Sequence, residues 1–324
     1  MNEIKWGIIG CGDVTEVKSG PAFNKVKHSQ LVAVMRRDAA KAEDYAKRHG
    51  VPKWYSNATD LINDSEVNAI YIATPPLQHE EYTIAALAAG KPVYVEKPMA
   101  LNSTAAQKMA DAALANDVKL VVAHYRRAQP LFLKIKSLLE ENIIGEVRLV
   151  DLKMLQSKAN DLIANSEENW RINPAISGGG LFHDLAPHQL DLMLYYFGQA
   201  KIFNGIATKE ISATVEDLVT GHILFENGVV FNGIWCFSAP ENEQTDSCEI
   251  YGSKGKISFS VFGQYIKISL DGKEETIDFE PLTHVQQPMI EQVVAYFRGE
   301  GKNPCSAEEA LETMKLMDAF TASK

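Results

Sequence analysis

Two hydrophobic rhythms divide the chain. Up to residue 123, short uninterrupted apolar runs alternate with stretches of helical periodicity. The runs at 4–9, 31–35, 67–74, 93–95 and 120–123 are nearly free of polar residues. That is the pattern of strands buried on both faces of a parallel sheet. A shorter strand is predicted at 53–55, and helices at 13–27, 39–49, 58–63 and 103–116, with His79 starting another. Pro21 lies inside the first helix and should kink it or shift its start. Strands alternating with helices at this spacing predict an α/β domain with a doubly wound parallel sheet.

From His124 onward the rhythm changes. A helix is expected at 131–141 and a long strand at 147–156. Residues 157–177 read as irregular and contain Trp170-Arg171. A helix then opens in Gly178-Gly179-Gly180-Leu181-Phe182-His183-Asp184 and runs to about Phe197. Residues 200–279 read as successive strands, with Asn227-Gly228 and Asp271-Gly272 as hairpin turns. This predicts a second, α+β domain built on a large, mostly antiparallel open sheet. A helix at 288–299 follows, and Ser306 to Glu309 forms a capping box for the last one. The expected division is 1–123, 124–305, and a terminal helix at 306–324 packing back on the first domain.

With 324 residues, each domain can bury its own core. Hydrophobic residues at 46% and charged residues at 23% are ordinary for a globular protein. A net charge of −10 and the lack of any lysine/arginine stripe argue against a nucleic-acid surface. No apolar run approaches the roughly 20 residues that span a bilayer. The first residues lack a basic segment followed by a long apolar one, so a cytoplasmic protein is expected. Cys11, Cys236, Cys248 and Cys305 are scattered without zinc or disulfide spacing, which fits a reducing compartment.

The chemistry begins where the first strand meets Gly10-Cys11-Gly12. A strand turning on glycines into a helix presents free N–H groups and the positive end of a helix dipole to a phosphate. Gly10 permits the turn, Gly12 admits a pyrophosphate to the main chain, and Asp13-Val14 begin the helix. Thr15 stands where Gly or Ala is usual. Arg36-Arg37 end the second strand, where an acidic residue would bond the ribose of NAD. A guanidinium there suits a 2′-phosphate, so NADP(H) is expected ahead of NAD(H). Thr74-Pro75-Pro76 and Lys97 also fall at carboxyl ends of strands, where such sheets bind ligands.

Asp184 and His188 are four apart on a predicted helix and share a face. An imidazole oriented by a carboxylate suits proton exchange with a hydroxyl. The structural alternative makes Asp184 an N-cap and His188 a satisfied core residue. His183 and His188, five apart, do not converge, and no metal site is expected. Gly178 to Gly180 suit close approach to a ligand, a mobile entry or a plain loop.

Taken together, GIIGCG, ATPPLQH at 73–79, EKP at 96–98 and GGGLFHDLAPH at 178–188 resemble the Gfo/Idh/MocA oxidoreductases, and so does the closing SAEEALETMKLMDA. The resemblance implies a dinucleotide-binding domain and an open sheet whose outer face forms a homodimer or homotetramer. It implies hydride transfer at a carbinol carbon of a sugar, inositol or related polyol. Lys97, Asp184 and His188 fall on the catalytic positions. Gly10, Gly12, Asp13, Val14, Arg36, Arg37, Thr74, Pro75, His79, Glu96, Lys97, Trp170 and Arg171 fall along the coenzyme. Tyr125 at the domain junction faces the cleft in this reading. Specificity is expected in loops such as 157–177, and His183 is an added polar group without a named partner. Two other classes share the pattern: a glycosidase that shuttles hydride through bound NAD, and a non-catalytic dinucleotide sensor.

Overall fold

The computed structural model describes residues 1–157, 170–210 and 214–322. Its first part runs β1 (Ile4–Ile9), α1 (Asp13–Val17), β2 (Ser29–Met35), α2 (Ala39–His49), β3 (Lys53–Tyr55) and α3 (Ala58–Asn63). Then follow β4 (Ala69–Ile72), α4 (His79–Ala88), β5 (Val93–Val95), α5 (Ser103–Asn116) and β6 (Leu120–Val122). The six strands form one sheet in the order β3-β2-β1-β4-β5-β6, every pairing parallel. Strand order reverses between β1 and β4, and the crevice at that point is where such sheets take ligands. The predicted helix at 13–27 is split: α1 ends at Val17, and a 3₁₀ turn over Gly20–Asn24 carries Pro21 in its first positions.

The second part contains α6 (Pro130–Glu140), β7 (Val147–Leu155), α7 (Pro174–Ser177), α8 (Gly180–Phe197), β8 (Ala200–Thr208), β9 (Leu218–Phe225) and β10 (Val230–Cys236). It continues through β11 (Thr245–Gly252), β12 (Gly255–Phe259), β13 (Tyr265–Leu270), β14 (Lys273–Asp278), α9 (Gln287–Arg298) and α10 (Ala307–Thr321). An eight-stranded sheet has the order β14-β13-β12-β11-β7-β10-β9-β8. Its pairings are antiparallel except β7 with β10. Asn227-Gly228 and Asp271-Gly272 sit at hairpin turns between β9 and β10 and between β13 and β14. Buried and less buried positions alternate along β9 and β10, the mark of a sheet with one covered face. α8 covers that face: the Phe182 ring meets Trp235 edge-on at 5.2 Å, and Trp235 Nε1 donates to Gln189 Oε1 at 2.6 Å.

Two late helices tie the halves together. On one face of the parallel sheet, Trp6, Phe23, Tyr71 and Tyr94 form a column in that order, with successive ring separations of 4.8, 5.1 and 5.2 Å. α9 closes this column with Phe297, 5.6 Å from Trp6. Lys119 Nζ, just before β6, donates to the Tyr296 carbonyl at 2.6 Å. So a helix encoded after the second sheet completes the core of the first. α10, started by the Ser306–Glu309 capping box, packs against α5 on one side and α8 and β8 on the other. Among the described residues no helix is long and apolar enough to cross a membrane.

Phe297 is almost completely buried. Truncation to Ala leaves a cavity beside Trp6 and should cost about 3–5 kcal/mol of unfolding free energy in urea titration. A loss under about 1 kcal/mol would mean that α9 does not hold the parallel sheet's core.

Candidate active site

β1 delivers the chain into the glycine turn, and the turn is closed by its own residues. Gly10 has φ +96°, and a Cβ there would stand 2.7 Å from the Thr74 amide nitrogen, so a side chain is excluded. Thr15 Oγ1 donates to the Gly12 carbonyl at 2.7 Å and accepts from the Gly12 amide at 3.0 Å. The threonine at the third position of the motif therefore closes the turn with its hydroxyl. The Thr15 and Glu16 amides return to the Gly12 carbonyl. Among the described residues, no backbone acceptor serves the Asp13 and Val14 amides. A Cβ on Gly12 would meet nothing closer than 4.0 Å, so the space above the turn is open.

That open space is one end of a cleft of about 690 Å³. Gly10, Gly12, Asp13 and Val14 line its floor, Arg36 and Arg37 its far end, Thr74 and Pro75 its side, and Glu96, Lys97, Trp170, Arg171 and Asp184 its near end. Arg36 Nη1 lies 3.4 Å from the Cys11 carbonyl, so its guanidinium is folded over the turn. Open amides, a glycine turn free of side chains and a cleft running from arginines to Lys97 fit an extended dinucleotide.

At the near end, two layers of the molecule meet in an ion triad. Lys97, just past β5, donates from Nζ to Asp184 Oδ1 at 2.7 Å and to the Asp184 carbonyl at 2.7 Å. Arg171 Nε donates to Asp184 Oδ2 at 2.9 Å. Burial pushes the Asp184 carboxyl up, but the Lys97 ammonium and then the Arg171 guanidinium hold it well below the usual carboxylate range. Asp184 is thus a fixed anion, and two of the three Lys97 N–H bonds are committed to it. One turn further along α8, His188 is buried, with Nδ1 unpartnered. Its ring packs edge-on against Tyr125 at 5.1 Å and Phe262 at 5.8 Å. Burial, then the Lys97 and Arg126 cations, push its pKa well below the ordinary histidine value, so the ring is neutral at pH 7.

Behind Lys97 lies a buried network that sequence reasoning did not foresee. Glu96 Oε1 accepts from Tyr71 Oη at 2.5 Å and from Gln286 Nε2 at 2.5 Å. Gln286 Oε1 in turn accepts from Tyr94 Oη at 3.0 Å, and Tyr71 Oη reaches Ser19. Glu96 Oε2 accepts from the Lys97 amide at 3.2 Å. The carboxylate lines the cleft and also holds the backbone that carries Lys97. Gln286 comes from the segment before α9, 190 residues away, a pairing that no local pattern signals.

Three expectations change. His79 does not line the cleft: fully buried, its ring nitrogens stand 2.7 Å from the Thr74 carbonyl and 3.0 Å from that of Pro98, pinning two loops. Asp184 is no N-cap, because α8 begins at Gly180 and carries it inside the helix. Gly178, Gly179 and Gly180 are crowded by Leu101, His183 and Val215, so the protein itself requires them small. His183 Nδ1 stands 3.1 Å from the Gly179 carbonyl and anchors the start of α8. Of the irregular 157–177 stretch, residues 158–169 lie outside the described residues. Trp170 and Arg171 sit in the cleft wall, the guanidinium 4.4 Å from the indole centroid.

Comparison with known proteins agrees with this anatomy. Residues 4–124 match the family model described as an oxidoreductase family with an NAD-binding Rossmann fold, and residues 132–258 match the GFO/IDH/MocA C-terminal domain. The chain is 50% identical to "Oxidoreductase P35" of Formosa agariphila over 319 residues, 98% of each protein. It is 30% identical over 257 residues to the trans-1,2-dihydrobenzene-1,2-diol dehydrogenase of Oryctolagus cuniculus, covering 77% of this chain and 71% of the relative. Among solved structures, levoglucosan dehydrogenase in complex with NADH and levoglucosan superposes with TM-score 0.84 at 23% identity, covering 98% of this chain and 96% of that one.

His79, His124, His183 and His188 are all buried, and burial lowers the pKa of each, that of His124 to about 4. In the unfolded chain they return to about 6.5. Below that pH the unfolded state binds more protons than the native one, so stability falls as pH falls. Unfolding free energy from urea titration should be lower at pH 5.5 than at pH 7.5, and the difference should shrink in His124→Gln. Equal stability at the two pH values would contradict neutral, buried histidines.

Proposed function

We propose, for a chain that belongs to the Gfo/Idh/MocA oxidoreductase family, that it moves hydride between a nicotinamide coenzyme and a carbinol or carbonyl carbon of a polyhydroxylated small molecule. The substrate class is a sugar, inositol or related polyol, and NADP(H) is preferred to NAD(H). One observation carries the reading: Lys97, fixed by Asp184, stands in the same cleft as the glycine turn. The levoglucosan complex of a structural neighbour agrees with the substrate class.

The amides of Asp13 and Val14 would hold the pyrophosphate, and Arg36 and Arg37 a 2′-phosphate on the adenosine side. Trp170, Arg171, Glu96 and Lys97 would flank the nicotinamide end. When bound, the coenzyme supplies the hydride acceptor or donor at nicotinamide C4. The third N–H of Lys97 is directed to the substrate oxygen and stabilises negative charge as it develops there. His188, neutral before reaction, takes the hydroxyl proton during oxidation and returns it during reduction. Asp184 holds the Lys97 ammonium in place. The outer face of the eight-stranded sheet, with Ile202, Ile206 and Val230 exposed, is the surface through which copies of the chain associate.

The test is a coenzyme titration of wild type, Arg36→Asp and Lys97→Met, followed by turnover on a polyol and aldose panel. Wild type should bind NADPH at least tenfold more tightly than NADH, and Arg36→Asp should remove that preference. Lys97→Met should keep coenzyme affinity within a few-fold and lose kcat by about a hundredfold or more. Tighter NADH binding by wild type overturns the coenzyme assignment. Unchanged turnover in Lys97→Met overturns the catalytic one.

A further inference from the structure

We propose that the substrate carries an oxyanion on a carbon remote from the reacting one, and that Arg126 receives it in a second pocket adjoining His188. The inference deepens the oxidoreductase reading above and rests on it.

Arg126 and Arg127 are neighbours in the 3₁₀ turn Tyr125–Ala128 after β6, yet their surroundings are opposite. Arg127 is buried and satisfied, with Nε and Nη2 each 2.8 Å from the Asp191 carboxylate. Arg126 has no hydrogen bond and no ion pair among the described residues, and its Nε is shut off from solvent without a partner. The guanidinium is packed against rings instead: Cζ lies 4.3 Å from the Phe262 centroid, 5.6 Å from Phe132 and 5.8 Å from Tyr125. A cation partly desolvated against aromatic faces and left without a counter-charge is costly. Asp246 is the acid whose field reaches it. That carboxylate, however, accepts from the Phe262 amide at 2.7 Å and from Ser260 Oγ, so it serves the 260–262 turn. Glu280, also on the pocket wall, is exposed and makes no ion pair with Arg126.

The space beside this guanidinium is a pocket of about 320 Å³, walled by Tyr125, Arg126, Gln129, Phe132 and Phe262. Two of those walls, Tyr125 and Phe262, are the rings that clasp His188. The pocket therefore shares two of its walls with the packing shell of the proposed proton acceptor. Lys18, just after α1, is a second cation, with no hydrogen bond or ion pair from its ammonium among the described residues. Its side chain reaches solvent, yet burial of the ammonium and then the Lys97 charge lower its proton affinity, with Arg126 contributing. The carboxylates of Asp184 and Glu96 offset part of this field at Lys18, but Asp184 is committed to Lys97 and Arg171, and Glu96 to Tyr71 and Gln286. A planar guanidinium with unused N–H donors matches a carboxylate or a phosphate ester through two parallel hydrogen bonds. The apolar walls would strengthen that pairing and leave a neutral hydroxyl the poorer partner.

The experiment compares matched ligands on coenzyme-saturated protein: glucose, glucuronate and glucose 6-phosphate, and the galactose set, at constant ionic strength. Dissociation constants are read from the change in bound-NADPH fluorescence, and turnover from absorbance. In at least one set, the carboxylate or the phosphate member should bind at least tenfold more tightly than the neutral parent, and which of the two does so identifies the oxyanion. Arg126→Gln should bring acid and parent within about twofold, Arg126→Lys should keep part of the preference, and neither should move the NADPH dissociation constant. Neutral sugars binding as well as or better than every acid, no acid binding at all, or a preference intact in Arg126→Gln would overturn the proposal. Failure of the oxidoreductase reading looks different: acid binding depends on Arg126, but no member of any set is oxidised with either coenzyme.

Discussion

The charge pair between Lys97 and Asp184 is the contact on which the rest of the site depends. One partner ends a strand of the parallel sheet, and the other sits on the helix that covers the antiparallel sheet. Either charge alone in this crevice would be expensive, and together they are held by geometry that both layers must supply. Asp184 answers Lys97 twice, through its carboxylate and its main-chain carbonyl, and is itself held by Arg171. The pair therefore fixes where the two halves meet. It also aims the remaining N–H of the lysine into the cleft.

Around this pair the charges are arranged by sign. The glycine turn and Arg36 make one end of the cleft attractive to phosphate. At the other end, Lys97, Arg126 and Lys18 all disfavour a proton on His188, and burial disfavours it more. In the proposed reaction, an imidazole kept neutral in this way would accept a proton as negative charge develops beside it and would pass it on afterwards. Glu96 is the counterweight, with Tyr71 and Gln286 binding its carboxylate and with its other oxygen holding the Lys97 backbone. The chemistry of the site thus reaches into the aromatic column that α9 completes.

Much of this was legible in the chain. Strands buried on both faces must be apolar throughout, so the parallel sheet announced itself, and the alternating second half announced a different kind of sheet. Asp184 and His188 were placed on one face by helical spacing alone. What stayed hidden depends on distant partners. The resemblance put His79 along the coenzyme, but its ring is buried between the carbonyls of Thr74 and Pro98. Arg126 and Arg127 are indistinguishable as letters, and an aspartate 64 residues on decides which one is satisfied. A helix was expected at 288–299, but nothing in its sequence said that it would lie on the first sheet. Pro21 warned of the break after α1, and the 3₁₀ turn is how the chain accommodates it.

Burial first, and then the cations fixed around His188, with Lys97 foremost among them, keep its imidazole neutral at pH 7. The most direct measurement is a pH titration of the His188 ring by nitrogen NMR on histidine-labelled protein, in wild type and in Lys97→Met. The account predicts a wild-type midpoint well below the ordinary value of about 6.5, and a midpoint that moves part of the way up in the variant while burial still holds it down. A wild-type ring that titrates near 6.5, or a midpoint indifferent to Lys97, would contradict it.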